Sequence, residues 1–313
     1  MNGNHYTGLW DNKMDRLEAM SAFIAVVEAG GFSAAARRLG TPLTTLSRRV
    51  ADLEDHLRSR LLTRTTRKVA LTDTGQMYFQ RARKLLDELG ESERLASGEY
   101  QAPRGSLTVS APLALGRLHL APIISEFLSV YPEIDVVLRL SDKFANLVED
   151  GVDLAVRVGR LPDSSLKALR IGSIRHVVCA SPDYLARRGT PSKPSELGAH
   201  HCVTFTGLEG TKEWTFRTGR KVNRLAVRSR LAVDTAEAAA DAANAGVGIT
   251  RLLSYQVSQA VLDGRLKLLL RQFEPAPLPV SLVSPDARLL PQKLRAFTDF
   301  VAPRLKARLV FDL

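Results

Sequence analysis

The residues best placed to do chemistry in this chain lie in SAAARRLGTPLTTLSRRV, Ser33 to Val50. Leu43, Leu46, Val50, Leu53 and Leu57 recur every three or four residues, a spacing that puts them on one stripe of a helix. The opposite side then carries Thr44, Thr45 and Arg48 near its start, with Arg49 beside them and Asp52 and Asp55 further on. Hydroxyls and a guanidinium at the leading end of a helix can reach base edges in a DNA major groove. A well-placed arginine on guanine contributes about 1–3 kcal/mol of discrimination. The acids at the trailing end stay clear of the phosphates. The competing reading of Arg48 is a contact to phosphate or solvent only.

A reading helix needs a mount, and the flanking sequence supplies one. Thr41 followed by Pro42 reads as an N-cap hydroxyl and a proline at the first helical position, where its missing N–H is no loss. Gly40 separates this helix from a shorter one, AAARRL, with Ser33 as its expected N-cap. There Ser33 can hold a phosphate or serve as a cap alone. Upstream, Leu17, Met20, Phe23, Ile24 and Val27 repeat at helical spacing from Asp15 until Gly30-Gly31, giving a wall for the other two helices. Downstream, RSRLLTRTTRKVALT alternates β-branched and basic residues around Thr65-Thr66, the pattern of a two-stranded wing. Arg64, Arg67 and Lys68 on that wing would reach backbone phosphates, contacts that position a protein without reading sequence. The stretch from Ser33 to Thr72 holds nine Lys/Arg against three acids, a local excess that suits a polyanion.

From Asp73 to Ala96 the pattern is one long helix, about 36 Å at 1.5 Å per residue. Tyr78, Ala82, Leu85, Leu89, Ser92 and Ala96 alternate spacings of four and three, the seam of a two-helix coiled coil. The alternative is an amphipathic helix packed on its own domain. SGEYQAPRG then reads as a linker.

Beyond the linker, β-rich runs (Leu107–Ser110, Ile134–Leu140, Val152–Val158, His176–Ala180, Cys202–Phe205) are interleaved with helical patterns at Leu118–Val130 and Phe144–Asp150. Alternating strands and helices imply α/β architecture with a largely parallel sheet. A hairpin at Trp214–Val227 turning at Thr218-Gly219, a strand at Leu231–Val233, a helix at Thr235–Ala245 and a terminal helix from about Leu290 complete the series. This C-terminal part, roughly 210 residues, is large for one α/β lobe and suits two lobes with a cleft. Ligands in such folds sit at strand C-terminal ends and helix N-termini, which singles out Ser110, Ala111 and Pro112. Gly246 and Gly248 are the expected places for backbone N–H groups to approach a carboxylate.

The bulk numbers narrow the class. A net charge of +11 favours DNA or acidic small molecules as partners. Two cysteines without C-x-x-C spacing, no stretch expected to match the roughly 18 apolar residues of a membrane span, and an N-terminus without a signal-peptide core point to the cytoplasm. Met14, directly before the first periodic segment, is a second candidate start, and residues 1–13 read as a disordered arm. His200-His201-Cys202 invites a metal reading, but no companion pair stands at ligand spacing, so no metal and no cofactor is expected. Arg217, Arg220, Lys221, Arg224, Arg228 and Arg230 run around the hairpin without an acid among them. A solvated face is the default for such a run, with a subunit interface or an extra DNA contact as alternatives. The chain lacks G-x-S-x-G, a Walker loop, G-x-G-x-x-G after the first strand of its α/β part and H-E-x-x-H, so no catalytic residue is assigned. An α/β enzyme or a solute-binding protein are the competing readings.

With these residues in view, the chain resembles the LysR-type transcriptional regulators over nearly its whole length after Met14. The resemblance rests on Phe23, the run GGFSAAARRLG, LSRRV from Leu46, Leu53-Glu54, RTTRKVALT from Arg64 and Thr74-Gly75. In the second part it rests on SAPLALGRLHLAPIISEFLSVYPEIDVVLRLSD, DGVDLAVRVG and CASPDYLARRG. It implies an α+β protein: a winged helix-turn-helix over 14–72, a dimerising linker helix over 73–97, and over 98–313 a two-lobed α/β domain like the periplasmic solute-binding proteins. It further implies a homodimer or homotetramer on a promoter dyad, with a small-molecule effector in the cleft changing the DNA bend or an RNA polymerase contact. By the same resemblance Ser141, Arg157 to Gly159 and Phe205 face the cleft. Arg157 would then pair bidentately with an anionic effector, or form a structural bridge to a neighbour such as Asp153. Thr250 to Ser254 lack the Leu-Pro common in the family, leaving the chain's course there open.

Overall fold

The computed structural model describes residues 15–64, 69–97, 102–143, 147, 150–161, 166–207, 213–285 and 291–309. The chain forms two compact units, one ending at Gln101 and the other beginning at Ala102. The expected arm over residues 1–13, and the helical pattern at Phe144–Asp150 for most of its length, lie outside the described residues.

In the first unit, α1 (Arg16–Glu28) is started by Asp15, whose carboxylate accepts the N–H groups of Leu17 and Glu18. α2 spans Phe32–Leu39 and α3 spans Leu43–Leu57. Two of the expected caps shift by a residue or two. Gly31, not Ser33, is the N-cap of α2, and Ser33 is its second helical residue. Pro42 is itself the N-cap of α3, without a side-chain bond, and the Thr41 hydroxyl donates to the Leu39 carbonyl. Leu46, Val50 and Leu53 are buried against α1, and Leu57 packs beside them. Leu43, the first member of the expected stripe, is 47% exposed. It sits one residue past the cap, where the helix has not yet reached the α1 wall.

The wing forms as expected, with β1 (Leu62–Arg64) antiparallel to β2 (Val69–Leu71). The Glu54 carboxylate on α3 accepts the N–H groups of Leu61 and Leu62, which fixes the wing to α3. α4 (Asp73–Ser97) follows at once. The Thr72 hydroxyl accepts the Gly75 N–H and donates to the Arg60 carbonyl. A Cβ at Gly75 would stand 1.9 Å from the Leu61 carbonyl oxygen, so only glycine lets α4 start this close to β1. The coiled-coil seam divides along α4. Tyr78 and Ala82 belong to the unit's own core, while Leu85 and Leu89, further along the same stripe, are 56% and 37% exposed.

The second unit holds two five-stranded sheets. β3 (Gly105–Ala111) is followed by α5 (Leu113–Leu115), a wider π-helical turn (Gly116–Leu120) and α6 (Ala121–Val130). β4 (Ile134–Leu140), β5 (Leu154–Val158) and β6 (Lys167–Ile174) complete the first passage of this lobe. The chain then crosses into β7 (His176–Ala180), α7 (Pro182–Arg188), β8 (Cys202–Phe205) and the hairpin β9 (Glu213–Thr218) and β10 (Lys221–Ala226). β11 (Ser229–Val233), α8 (Ala236–Asn244), β12 (Ile249–Leu253), α9 (Ser254–Leu262) and β13 (Lys267–Leu269) finish the second lobe. β14 (Leu278–Ser284) and α10 (Gln292–Arg308) return to the first. Thr250 to Ser254, left open by the sequence, form β12 and the start of α9.

The sheets run β4-β3-β5-β14-β6 and β11-β8-β12-β7-β13. They are mixed rather than largely parallel: β14 is antiparallel to β5 and β6, and β7 is antiparallel to β12 and β13. A strand that returns from the opposite lobe enters the sheet against its neighbours. A second correction concerns Leu113–Val130, an 18-residue run with the length and apolarity of a membrane span. Its Leu115, Leu120, Ile123, Ile124 and Phe127 are buried in the first lobe's core with Phe297 and Val301 of α10.

Candidate nucleic-acid interface and effector cleft

On α3, burying Leu46, Val50 and Leu53 leaves Thr44, Thr45 and Arg48 exposed together on the other side. The Arg48 side chain is 85% exposed, with Asp52 one turn away at 3.9 Å. Arg49 departs from expectation. One residue on, it is rotated about 100° towards α1, and its guanidinium pairs with Glu18. Arg49 ties two helices together and is withdrawn from the reading face. Ser33 is exposed in the first turn of α2, where its backbone N–H is among the four that a helix start leaves open. Arg64 ends β1, its side chain outside the described atoms, and Arg67 and Lys68 lie outside the described residues.

In the second unit, register brings the first lobe's predicted residues to one end of a sheet. β3 pairs in parallel with β4 and β5, so Ala111 stands beside Leu140 and Ser110 beside Ala155. The Ser141 N–H donates to the Ala111 carbonyl at 3.1 Å, and the Ser141 hydroxyl accepts the Lys143 N–H. Pro112 caps α5 at this same end, and Ser110 is 5% exposed. Arg157 follows two residues after Ala155, half-buried, and burial draws its guanidinium below the usual range. Asp150 acts on it as an opposing charge, and the Asp153 carboxylate accepts the Thr108 N–H at 2.8 Å. The Gly159 N–H is already donated to the Pro279 carbonyl.

Phe205 ends β8 in the other lobe, level with Val233 at the end of β11, and α8 begins just beyond. Thr235 caps that helix, its hydroxyl accepting the Ala238 N–H. Gly246 and Gly248 are not at this end. Ile249 is level with Cys202, which puts Gly248 beside His201, roughly 13 Å along the strand from Phe205. The Gly246 N–H closes the last turn of α8 onto Ala243. A Cβ at Gly248 would meet the His201 carbonyl at 2.4 Å, so this glycine serves strand packing. Neither fits the expected carboxylate cradle.

Other residues meet between the lobes. Arg117 of the π-helical turn reaches Glu237 of α8 at 3.4 Å. The His119 ring stands edge-on to Tyr255 of α9, 5.7 Å between centroids. Burial, with a smaller push from Arg308, lowers His119 to about 4. Asp142 accepts the Leu113 N–H, and its pKa is raised mainly by burial, with Glu237 adding to the rise. Tyr255, fully buried, is raised by burial and then by Asp142 and Glu237. The chain crossings between lobes are tied at one point: the Ser254 N–H donates to the Arg175 carbonyl, and Arg175 pairs with Glu274 at 2.7 Å. Sequence reasoning missed Asp142, Glu237 and Tyr255 because no local pattern joins them.

Cys179 and Cys202 are buried on opposite faces of the second sheet, in separate clusters. Burial raises both thiols to about 12, so they are packed apolar groups.

Comparison with known proteins places both units in one family. The model described as bacterial regulatory helix-turn-helix protein, lysR family, matches residues 17–76, and the LysR substrate binding domain matches residues 100–306. An HTH-type transcriptional repressor of Pseudomonas aeruginosa is 37% identical over 292 residues, covering 92% of each chain. The HTH-type transcriptional activator AaeR of Escherichia coli is 32% identical over 283 residues, 90% of this chain and 91% of that one. The structure of CrgA, a LysR-type transcriptional regulator from Neisseria meningitidis, superposes with a TM-score of 0.60 at 33% identity, covering 92% of this chain and 98% of that one.

Proposed function

We propose that this chain, which belongs to the LysR family of bacterial transcriptional regulators, reads a promoter dyad through Thr44, Thr45 and Arg48 under the control of a small molecule held between its lobes. The carrying observation is the two-sidedness of α3: an apolar stripe closed by α1, and a donor face left exposed. Ser33 at the start of α2, with Arg64, Arg67 and Lys68 of the wing, supplies phosphate contacts that set register without reading bases. The division of labour follows the chain: 14–72 for DNA, 73–97 for pairing, 98–313 for the effector.

Leu85 and Leu89 support pairing, because an exposed apolar stripe on a long helix needs a partner helix. Paired chains hold two reading heads on one duplex, and a homotetramer spans a longer operator.

The effector lies where Ser110, Ala111, Pro112, Ser141 and Arg157 gather at one sheet end and Phe205 closes the other lobe. Its anionic group meets Arg157, and changes in the lobes alter the DNA bend or a contact to RNA polymerase. Relatives include both a repressor and an activator, so the family does not fix the sign of control.

The test is a footprint of the purified chain on its own upstream intergenic DNA, wild type beside Arg48→Ala. Two protected half-sites on one face of the duplex, lost or relaxed in the variant, are expected. Absence of site-specific protection there and on selected random DNA would overturn the proposal.

A further inference from the structure

The six basic residues from Arg217 to Arg230 are all exposed, but they do not form one uniform face. Trp214 and Phe216 of β9 turn into the core, and the hairpin carries Arg217, Arg220, Lys221 and Arg224 outwards. Arg230 departs from this group. It lines a pocket of about 480 Å³ at the far end of the second lobe from Phe205, together with Tyr184, Arg187, Arg188, His201 and Gly246. No carboxylate lines this pocket.

The pocket's walls are fixed by bonds of their own. Tyr184, 2% exposed, accepts the His201 N–H at 3.0 Å and lies 3.2 Å from the His200 ring. The Ile249 N–H donates to the His201 carbonyl at 2.9 Å, so His201 is clamped from both sides. Gly246 has φ +75°, and Arg187 donates to its carbonyl at 3.5 Å. A Cβ there would come within 2.9 Å of the Arg187 guanidinium, so the glycine makes room for the arginine. Burial first, and after it the like-signed influence of Arg230, Arg188, Arg228 and His200, holds the His201 ring below the usual histidine range. Glu196 acts on His200 but does not line the pocket.

Three guanidiniums held around one space repel each other until an anion enters, and the neutral His201 imidazole beside them offers a ring N–H. Planar guanidiniums match the paired oxygens of phosphate or carboxylate, and a pocket of a few hundred Å³ suits a small molecule. We propose that this pocket is a second ligand site, separate from the interlobe cleft, for a small oxyanion carrying two or more negative charges: a phosphate ester or a polycarboxylate.

The experiment titrates the full-length chain with inorganic phosphate and, separately, with citrate, at constant ionic strength, followed by calorimetry. Saturable binding of at least one of them, one per chain, is expected, and the preferred probe separates phosphate esters from polycarboxylates. Arg187→Gln with Arg230→Gln should weaken it about tenfold or more. Arg217→Gln with Arg224→Gln removes the same charge from the hairpin and should leave it unchanged. Unaltered melting without ligand shows that each variant folds, and Arg188→Gln alone stands in where the pocket pair does not. Lack of saturation with both probes, equal loss in the hairpin variant, or full binding in the pocket variant would overturn the site. A shallower salt dependence of DNA binding in the pocket variant would also overturn it, by giving these arginines to backbone phosphates.

Discussion

The winged unit and the two-lobed unit place the residues proposed to contact DNA and effector in opposite ways. On α3, Thr44, Thr45 and Arg48 fall within five residues of one helix, and a buried stripe orients them all. In the second unit, Ser110, Ser141 and Arg157 come from three strands, and Asp142 meets Glu237 from the other lobe. A contiguous site is oriented by the packing of a single helix. A site assembled across strands responds to anything that shifts a strand end or a lobe. This contrast suits a protein in which one unit reads and the other responds.

The strongest way to break the contrast is to disturb the winged unit's own assembly. Gly75→Ala puts a Cβ 1.9 Å from the Leu61 carbonyl, and the backbone must move to accept it. A cost of about 3 kcal/mol or more is expected, seen as an early melting step confined to this unit while the second unit melts as before.

The second unit should show its cross-element wiring in its pH response. His119 is held at about 4 in the folded chain, against an unfolded value near 6.5, so the folded state favours the neutral ring. Its contribution is complete above pH 6.5 and is lost as pH falls from 6.5 towards 4. Denaturant titrations across that window should show the decline, and His119→Gln should flatten it.

Pairing along α4 ranks next. Leu85→Glu with Leu89→Glu replaces two part-exposed leucines whose remaining burial in a dimer contributes about 1 kcal/mol each. Sedimentation should show the variant dissociating at concentrations where wild type is paired, with melting of the individual units unchanged. A variant that stays fully paired would assign the oligomer contact elsewhere.

The finest test separates two neighbours on α3. Arg48→Ala should cost about 1–3 kcal/mol of site-specific binding and relax preference at the contacted base pair. Arg49→Ala, which loses the Glu18 pair, should cost at most about 1 kcal/mol of stability and leave sequence preference intact. Equal loss of specificity in both would contradict the orientation of α3.

The amino-acid sequence by itself determined the elements whose periodicity is local. α1, α3, the wing and α4 were legible because apolar spacing and turn residues specify a helix or hairpin within a dozen positions. Even there, cap positions moved: Thr41 and Ser33 gave way to Pro42 and Gly31, since a cap depends on how the preceding chain enters the helix. Arg48 and Arg49 are alike in sequence, and only the α1 surface carrying Glu18 separates them. Strand runs were legible too, but not their direction, because β14 joins its sheet from the far lobe and so runs antiparallel. Tertiary structure alone moved Gly246 and Gly248 away from Phe205, joined Asp142 to Glu237, and gathered Arg187, Arg188, His201 and Arg230 from separate segments. The physical reason is one of range. Helical periodicity is encoded by neighbours, whereas strand register and sheet ends depend on residues tens of positions apart, which local pattern does not link.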